Sequence, residues 1–257
     1  MKKVKTFFGI VKTFKNWPTY FADRYGLIKK KNIIYLLRNG IKCKARARTN
    51  DKKIINEIWE RKIYNPKNFE IRESDVILDI GAHIGCFSVF ASKLAEKGRI
   101  FSFEPFPENF ALLKDNILLN KINNITSINK ALGNKNGKTD IFLSMHNTGG
   151  HSFYSSHKNS EKKIKVDVTS LPSFMKENKI SKINFLKMDC EGAEFEILFN
   201  CPKDTLEKIE KISMEYHNKS GVNNVNVLKQ YLENNGFKVI IKNNNIHTSY
   251  GMLYAHR

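Results

Sequence analysis

Several protein classes are excluded by what the chain has little of. Its four cysteines, Cys43, Cys86, Cys190 and Cys201, show neither CxxC spacing nor the density of a disulfide framework. They read as free thiols in a reducing cytoplasm and speak against structural zinc. No apolar run approaches the roughly 20 residues that a membrane-spanning helix requires. The opening stretch MKKVKTFFGIVKTFKNWPTYF has lysines but no continuous apolar core and no small-residue cleavage site, which points away from a signal peptide. Internal repeats are absent. Acidic residues are scarce: 25 Asp and Glu stand against 44 Lys and Arg, a formal net charge of +19. That excess invites a nucleic-acid reading. It is mostly lysine, however, spread among many asparagines as an AT-rich genome would encode it. Its unevenness, densest before Asp51, says more than its sum. What is present is a globular composition, 41% hydrophobic and 11% aromatic over 257 residues, enough for one α/β domain with an appendage.

Residues 5–17 place Phe7, Phe8, Ile10, Val11, Phe14 and Trp17 among lysines, the pattern of one basic amphipathic helix. NIIYLLRNGIKCKARA reads as a β-hairpin turning at Asn39-Gly40. TNDKKIINEIWERKIY reads as a helix capped by Thr49, Asn50 or Asp51, with Ile54, Ile55, Ile58 and Trp59 inward. These make an appendage over residues 1–70. From Asp75 onward short apolar runs alternate with helical ones: VILDI, RIFSFEP, NITSINKAL, INFLKMD and KISMEYH are strands separated by helices. FKVIIK and GMLYAHR form a closing hairpin. An insertion from Gly133 to about Ser170 carries two strand-like runs around HNTGGHSFYSSHKNSE. The expectation for residues 71–257 is a doubly covered, mostly parallel sheet with an antiparallel edge.

In such sheets ligands sit beyond the carboxyl ends of the strands, where strand order reverses. The first loop, Asp79-Ile80-Gly81-Ala82-His83-Ile84-Gly85, lacks the middle glycine that lets a pyrophosphate approach the backbone in GxGxxG. His83 stands there instead. No Gly-Lys-Ser/Thr follows to hold a triphosphate. A tight turn without a phosphate cradle suits a nucleoside without phosphates, and S-adenosylmethionine is the common one. Glu104-Pro105 ends the second strand about twenty residues on, where a carboxylate accepts both ribose hydroxyls and disfavours a 2′-phosphate.

VILDIGAHIGCFSVFASK, IFSFEPFPENFALLKDNILLN, KALGNKNG, FLKMDCEGAEFEIL and MEYH, in this order and spacing, resemble the FkbM family of S-adenosylmethionine-dependent methyltransferases. The resemblance runs from about Arg38 to the C-terminus, with the DxEGAE segment its most specific part. It implies the class I seven-stranded fold and O-methylation of hydroxyls on sugars of glycolipids, surface polysaccharides and nodulation factors, or on polyketides. It further implies that Asp79, Gly81, Ala82, His83 and Gly85 line the methionine and ribose side, and that Glu104 and Pro105 meet the ribose. Lys130 and Ala131 would border the adenine, with Asp189 beside the sulfonium. The chain departs from the family at Leu171-Pro172, where the family has Leu-Asp, and at His83, where it has Asn. His83 could turn to the substrate instead.

For the chemistry, a sugar hydroxyl needs a base or a metal to take its proton. Asp189 and Glu191 lie two apart past one strand, Glu215 and His217 two apart at the end of the next, so each pair shares a face. These four are the candidates to surround the acceptor, with His217 the expected base and Glu194 a solvated or capping residue. A divalent metal is open but not favoured, since no HxxxH or acidic triad compels it. His151, His157, Phe153 and Tyr154 would belong to a lid. The partners expected are a glycan, glycolipid or small alcohol. Peripheral contact of the basic N-terminus with the inner face of a membrane is open, as is a homodimer. The rival readings are an RNA methyltransferase, against which the chain has DCEG in place of an Asn/Asp-Pro-Pro-aromatic loop, and a non-catalytic partner of a glycan enzyme.

Overall fold

The computed structural model describes residues 2–142, 163–218, 223–244 and 249–257, with the backbone alone for residues 2–5 and 142. The expected lid residues between 143 and 162 lie outside them. Helices α1 (Lys2–Thr13) and α2 (Trp17–Arg24) open the chain, followed by the hairpin β1 (Asn32–Leu36) and β2 (Lys42–Arg46) and by α3 (Asp51–Trp59). The single helix expected over residues 5–17 is thus two. Asn16 breaks it: its side chain accepts from Leu36 N at 2.8 Å and donates to Ile34 O at 3.0 Å, and Pro18 then starts a new first turn.

The main sheet follows. Its strands are β3 (Val76–Ile80), β4 (Arg99–Phe103), β5 (Ile125–Ile128), β9 (Phe185–Met188), β10 (Lys211–His217), β11 (Lys238–Asn243) and β12 (Tyr250–His256), in the order β11-β12-β10-β9-β3-β4-β5. Strand β12 is antiparallel to both its neighbours and the other pairings are parallel, as the alternating pattern predicts. Helices α4 (Cys86–Leu94), α5 (Pro107–Leu119), α6 (Leu171–Glu177), α7 (Glu194–Phe199) and α9 (Val225–Asn234) connect them, with a short α8 (Lys203–Leu206) that the sequence did not suggest. The expected third strand is split. Its second half, β6 (Ala131–Gly133), leaves the main sheet and pairs with β8 (Lys163–Ser170), which also pairs with β7 (Gly137–Phe142). The turn between the halves is held by Asn129, whose amide donates to Glu104 O at 2.8 Å and Pro105 O at 3.1 Å.

One face of the sheet packs Phe174, Phe195 and Leu228 from the crossover helices. The other buries Ile10, Phe14, Tyr35 and Ile55 of the N-terminal elements together with Ile77, Phe87 and Phe185, in a single apolar cluster. The appendage therefore shares a core with the sheet. Polar bonds fix the same join: Asn116 of α5 and Asn120 at its C-cap each bond both the N–H and the carbonyl of a β2 residue, Lys44 and Lys42, at 2.6–2.9 Å. Those side chains complete an edge that would otherwise be left with unpaired backbone groups.

Candidate active site

The chain runs outward from β3 to β4 and β5, then returns to place β9 on the other side of β3. Strand order reverses there, and at the carboxyl ends of these strands lies a cleft of about 470 Å³. Gly81, at φ +74°, lets the first loop press against the turn after β9, since a Cβ would collide with the Asp189 carbonyl. Gly81, Ala82, His83, Glu104, Pro105, Lys130, Ala131 and Asp189 all line the cleft, as do Glu191, Glu215 and His217. Asp79 and Gly85 stand behind its wall. Asp79 is fully buried, and Gly85 packs against Leu113.

Behind that wall Asp79 ion-pairs with Lys187 of β9 at 3.0 Å and accepts from Ser88 Oγ at 2.6 Å. The Lys187 ammonium also donates to Gly81 O at 2.7 Å, so it ties the first loop to the next strand. Burial alone would lower the pKa of Lys187, but Asp79 and Asp189 outweigh it and hold the lysine above its ordinary value. Glu104, 5% exposed, accepts from His83 N at 2.7 Å and Phe106 N at 2.9 Å, with Asn109 at 3.4 Å. Burial nevertheless pushes its pKa up to about 7.

His83 belongs to a second network. Its Nε2 meets the Arg46 guanidinium at 2.8 Å, which makes Nε2 the acceptor and leaves the ring proton on Nδ1. Burial drives its pKa down to about 4 against the pull of Asp51, so the ring is neutral. Arg46 of β2 makes a two-pronged pair with Asp51 of α3 at 3.0 and 3.1 Å and donates to Asn109 of α5 at 2.8 Å. The first loop is thereby clamped from the N-terminal elements.

The opposite end of the cleft is acidic. Tyr64, from the segment after α3, donates to Asp189 Oδ2 at 2.9 Å. Glu191 lies in the left-handed region, at φ +54°, in the turn that follows. Glu194 is fully buried and accepts from Cys190 N at 2.6 Å and Gly192 N at 2.8 Å. It holds the turn from inside, the capping alternative rather than the solvated one. His217 approaches Glu194 through Nδ1 at 3.2 Å, and through Nε2 it reaches Glu191 at 3.6 Å and Glu215 at 4.0 Å. Burial would lower its pKa, but the Glu194 bond and the charges of Glu194, Glu191 and Asp189 carry it up to about 10. Burial and then the Asp189 charge push Glu215 up to about 8. Glu57 of α3, another cleft-lining carboxyl, is raised by burial and by Asp189.

Among the described residues, Asp189, Glu191 and His217 are the grouping nearest to a metal-ligand set, their ligand atoms within 4.8 Å of one another. The imidazolium already supplies the counter-charge, and a divalent ion would have to displace its proton.

Sequence reasoning missed Lys187, Arg46, Asp51, Tyr64 and Glu57. A lysine inside the otherwise apolar FLKM was a signal for the first. The others come from the N-terminal elements, and only their placement in three dimensions joins them to the site.

With this geometry in place, the comparisons are specific. Residues 79–239 match the model of the methyltransferase FkbM domain. Methyltransferase 1 of Beauveria bassiana (strain ARSEF 2860) is 24% identical over 207 residues, covering 74% of this chain and 82% of that one. The hexuronic acid methyltransferase AglP of Haloferax volcanii is 25% identical over 183 residues, covering 68% of this chain and 72% of its own. The crystal structure of methyltransferase FkbM from Methylobacillus flagellatus KT superposes with a TM-score of 0.53 at 14% identity, over 80% of this chain and 53% of that one, a likeness of fold.

Proposed function

This chain belongs to the FkbM methyltransferase family, and from that premise we propose that it is an S-adenosylmethionine-dependent O-methyltransferase acting on a hydroxyl of a sugar, in a surface glycan, glycolipid or related metabolite. The observation that carries the reading is the division of one cleft into a neutral, hydrogen-bonded end around Glu104 and an acidic end around Glu215. The first end fits the cofactor. A carboxylate offers about four lone-pair directions, so Glu104 keeps capacity for ribose hydroxyls beyond its bonds to the loop. Gly81, Ala82 and Asp189 would flank the methionine, with Lys130 and Ala131 toward the base. When bound, S-adenosylmethionine supplies the electrophilic methyl group.

The chain's own residues do the rest. Tyr64 and Lys187 fix Asp189 and the first loop, so the acceptor meets a preset geometry. Glu215, with its pKa near 8, is the group matched to taking the acceptor hydroxyl's proton. His217 was the base expected from sequence position. Held as a cation by Glu194 and Glu191, it serves better to orient the carboxylates. Four carboxyls, Glu57, Asp189, Glu191 and Glu215, favour a polyol over a phosphate backbone. The AglP relative supports a sugar as the acceptor.

Calorimetric titration of the protein with S-adenosylmethionine, followed by mass spectrometry of incubations with candidate glycans, tests the reading. Cofactor binding and a 14 Da gain on a sugar oxygen are expected. No binding at millimolar cofactor would refute it.

A further inference from the structure

Trp17, Phe21 and Tyr25 follow at four-residue spacing along α2 and just past its end, with the Trp17 and Phe21 rings 6.2 Å apart. Phe7 of α1 lies against both, 6.0 Å from Trp17 and 5.5 Å from Phe21, and Phe8 lies 5.8 Å from Phe7. These four rings make one strip, and Tyr25 follows one turn beyond Phe21. The strip's inner edge, the half-buried Trp17 and Phe21, rests on the apolar cluster in which Ile10 and Phe14 are wholly buried and Tyr20 is 5% exposed, and its outer edge faces away from the body. On the strip Phe7 is 42% exposed and Phe8 56%, with Tyr25 beyond it at 71% and Leu27 at 73%.

Within the segment that carries it the exposed charge has one sign, although Glu60 from beyond α3 lies against Gly9 of α1. The first 50 residues hold fourteen Lys and Arg and a single acid, Asp23. Asp23 is 1% exposed, paired with Lys52 at 2.9 Å and bonded by the Tyr35 hydroxyl at 2.8 Å. Lys12, Lys15, Arg24, Lys29, Lys30 and Lys31 are all exposed. The surface of this segment therefore presents positive charge alone.

We propose that the strip and its cations form a docking surface for a lipid bilayer with anionic headgroups. The helices are 12 and 8 residues long, too short to span a bilayer but suited to lie in its interface. There Phe and Trp rings enter the boundary layer, a Tyr keeps its hydroxyl in the headgroups, and lysines reach the phosphates. A second copy of the chain would bring the same cations face to face. The docking surface lies apart from the cleft and stands whether or not the cofactor reading holds.

Flotation of the full chain with vesicles of phosphatidylglycerol in phosphatidylcholine, against phosphatidylcholine alone, tests it at 0.15 M salt. Binding only to the anionic vesicles is expected, together with a blue shift of Trp17 emission in a Trp59→Phe background. Phe7→Ser with Phe8→Ser should weaken partitioning by roughly tenfold or more, and Lys29→Glu with Lys30→Glu and Lys31→Glu by roughly 100-fold. The midpoint of thermal unfolding of the lysine variant should stay unchanged, because its three side chains are exposed, and circular dichroism should show the Phe7→Ser with Phe8→Ser variant folded. Absent binding, equal binding to neutral vesicles, or indifference to both sets of substitutions overturns the proposal. So does a dimer by light scattering that Phe7→Ser with Phe8→Ser dissolves, or RNA that shifts Trp17 emission more tightly than vesicles do.

Discussion

At the end of the cleft built by β3 and β4, Asp79, Glu104 and His83, with Lys187 reaching across from β9, are each at most 9% exposed, and the polar bonds they make run to fixed protein partners. At the end built by β9 and β10, the side chains of Glu191, Glu215 and His217 are 28%, 24% and 18% exposed, and like charges crowd together. At the first end Asp79 and Lys187 balance one another, while Glu104 is held by backbone N–H groups and the buried His83 Nδ1 has no partner among the described residues. At the second, burial and then the Asp189 charge raise Glu215, and the carboxylates around His217 hold a proton on it. A site that must hold one unvarying cofactor benefits from the first arrangement. A site that must move a proton benefits from the second, where pKa values are set apart from one another.

Substitutions should therefore act differently at the two ends, as stability or binding at one and as turnover at the other. The largest effect is expected from Lys187→Met. It strands the buried Asp79 carboxylate and removes the donor to Gly81 O, a loss of about 3–5 kcal/mol. Thermal unfolding should fall by roughly 10 °C for a chain of this size. Asp79→Asn added to Lys187→Met should recover part of it. A fall of a degree or two would mean that the first end is not held by its ion pair.

Glu104→Ala comes next. Losing charge-assisted bonds to the ribose should weaken S-adenosylmethionine binding about 100-fold by calorimetry, with a folded protein by circular dichroism. Undiminished affinity would place the cofactor elsewhere. Glu215→Gln should lower kcat about 100-fold, the low end for general base catalysis, and leave cofactor affinity within a factor of two. If instead the variant lost cofactor binding and kept its turnover, the two ends would have been assigned the wrong way round.

The sheet and the strand-end residues were legible because they obey local rules. VILDI and FLKM are apolar runs with one charge each, and DIGAHIG and FEP sit where such runs end. The split of NITSINKAL was not, because it depends on Asn129 finding two carbonyls at the end of another strand. Nor was the role of His83, which looked like a flaw in a dinucleotide loop. Its meaning lies in Arg46, 37 positions earlier, brought to 2.8 Å by the packing of a hairpin on α5. The clamp formed by Arg46 and Asp51 and the hydroxyl of Tyr64, all within residues 1–70, was not legible either, since contacts between distant segments leave no periodicity to read.

The smallest expected effect is also the one that separates the two ends most cleanly. Glu104 has a pKa raised to about 7 in the free protein, so below that pH its carboxyl is mostly protonated. On the proposed reading ribose hydroxyls would donate to the carboxylate, and the cofactor would then select the ionised form and pull that pKa down. Affinity for S-adenosylmethionine should be level above pH 7 and fall toward tenfold per unit below it, because each proton bound must be released on binding. Glu215, with its pKa near 8, could add a second inflection through its charge near the sulfonium. Measuring the profile in Glu215→Gln removes that contribution and should leave the break near 7. Glu104→Gln, which cannot ionise, should bind weakly with no such break. A profile level down to pH 5 in the Glu215→Gln background would show that Glu104 is already ionised without the cofactor. Its own bonds to His83 and Phe106 would then outweigh burial, and the proton-linked chemistry of the cleft would belong to the β9 and β10 end alone.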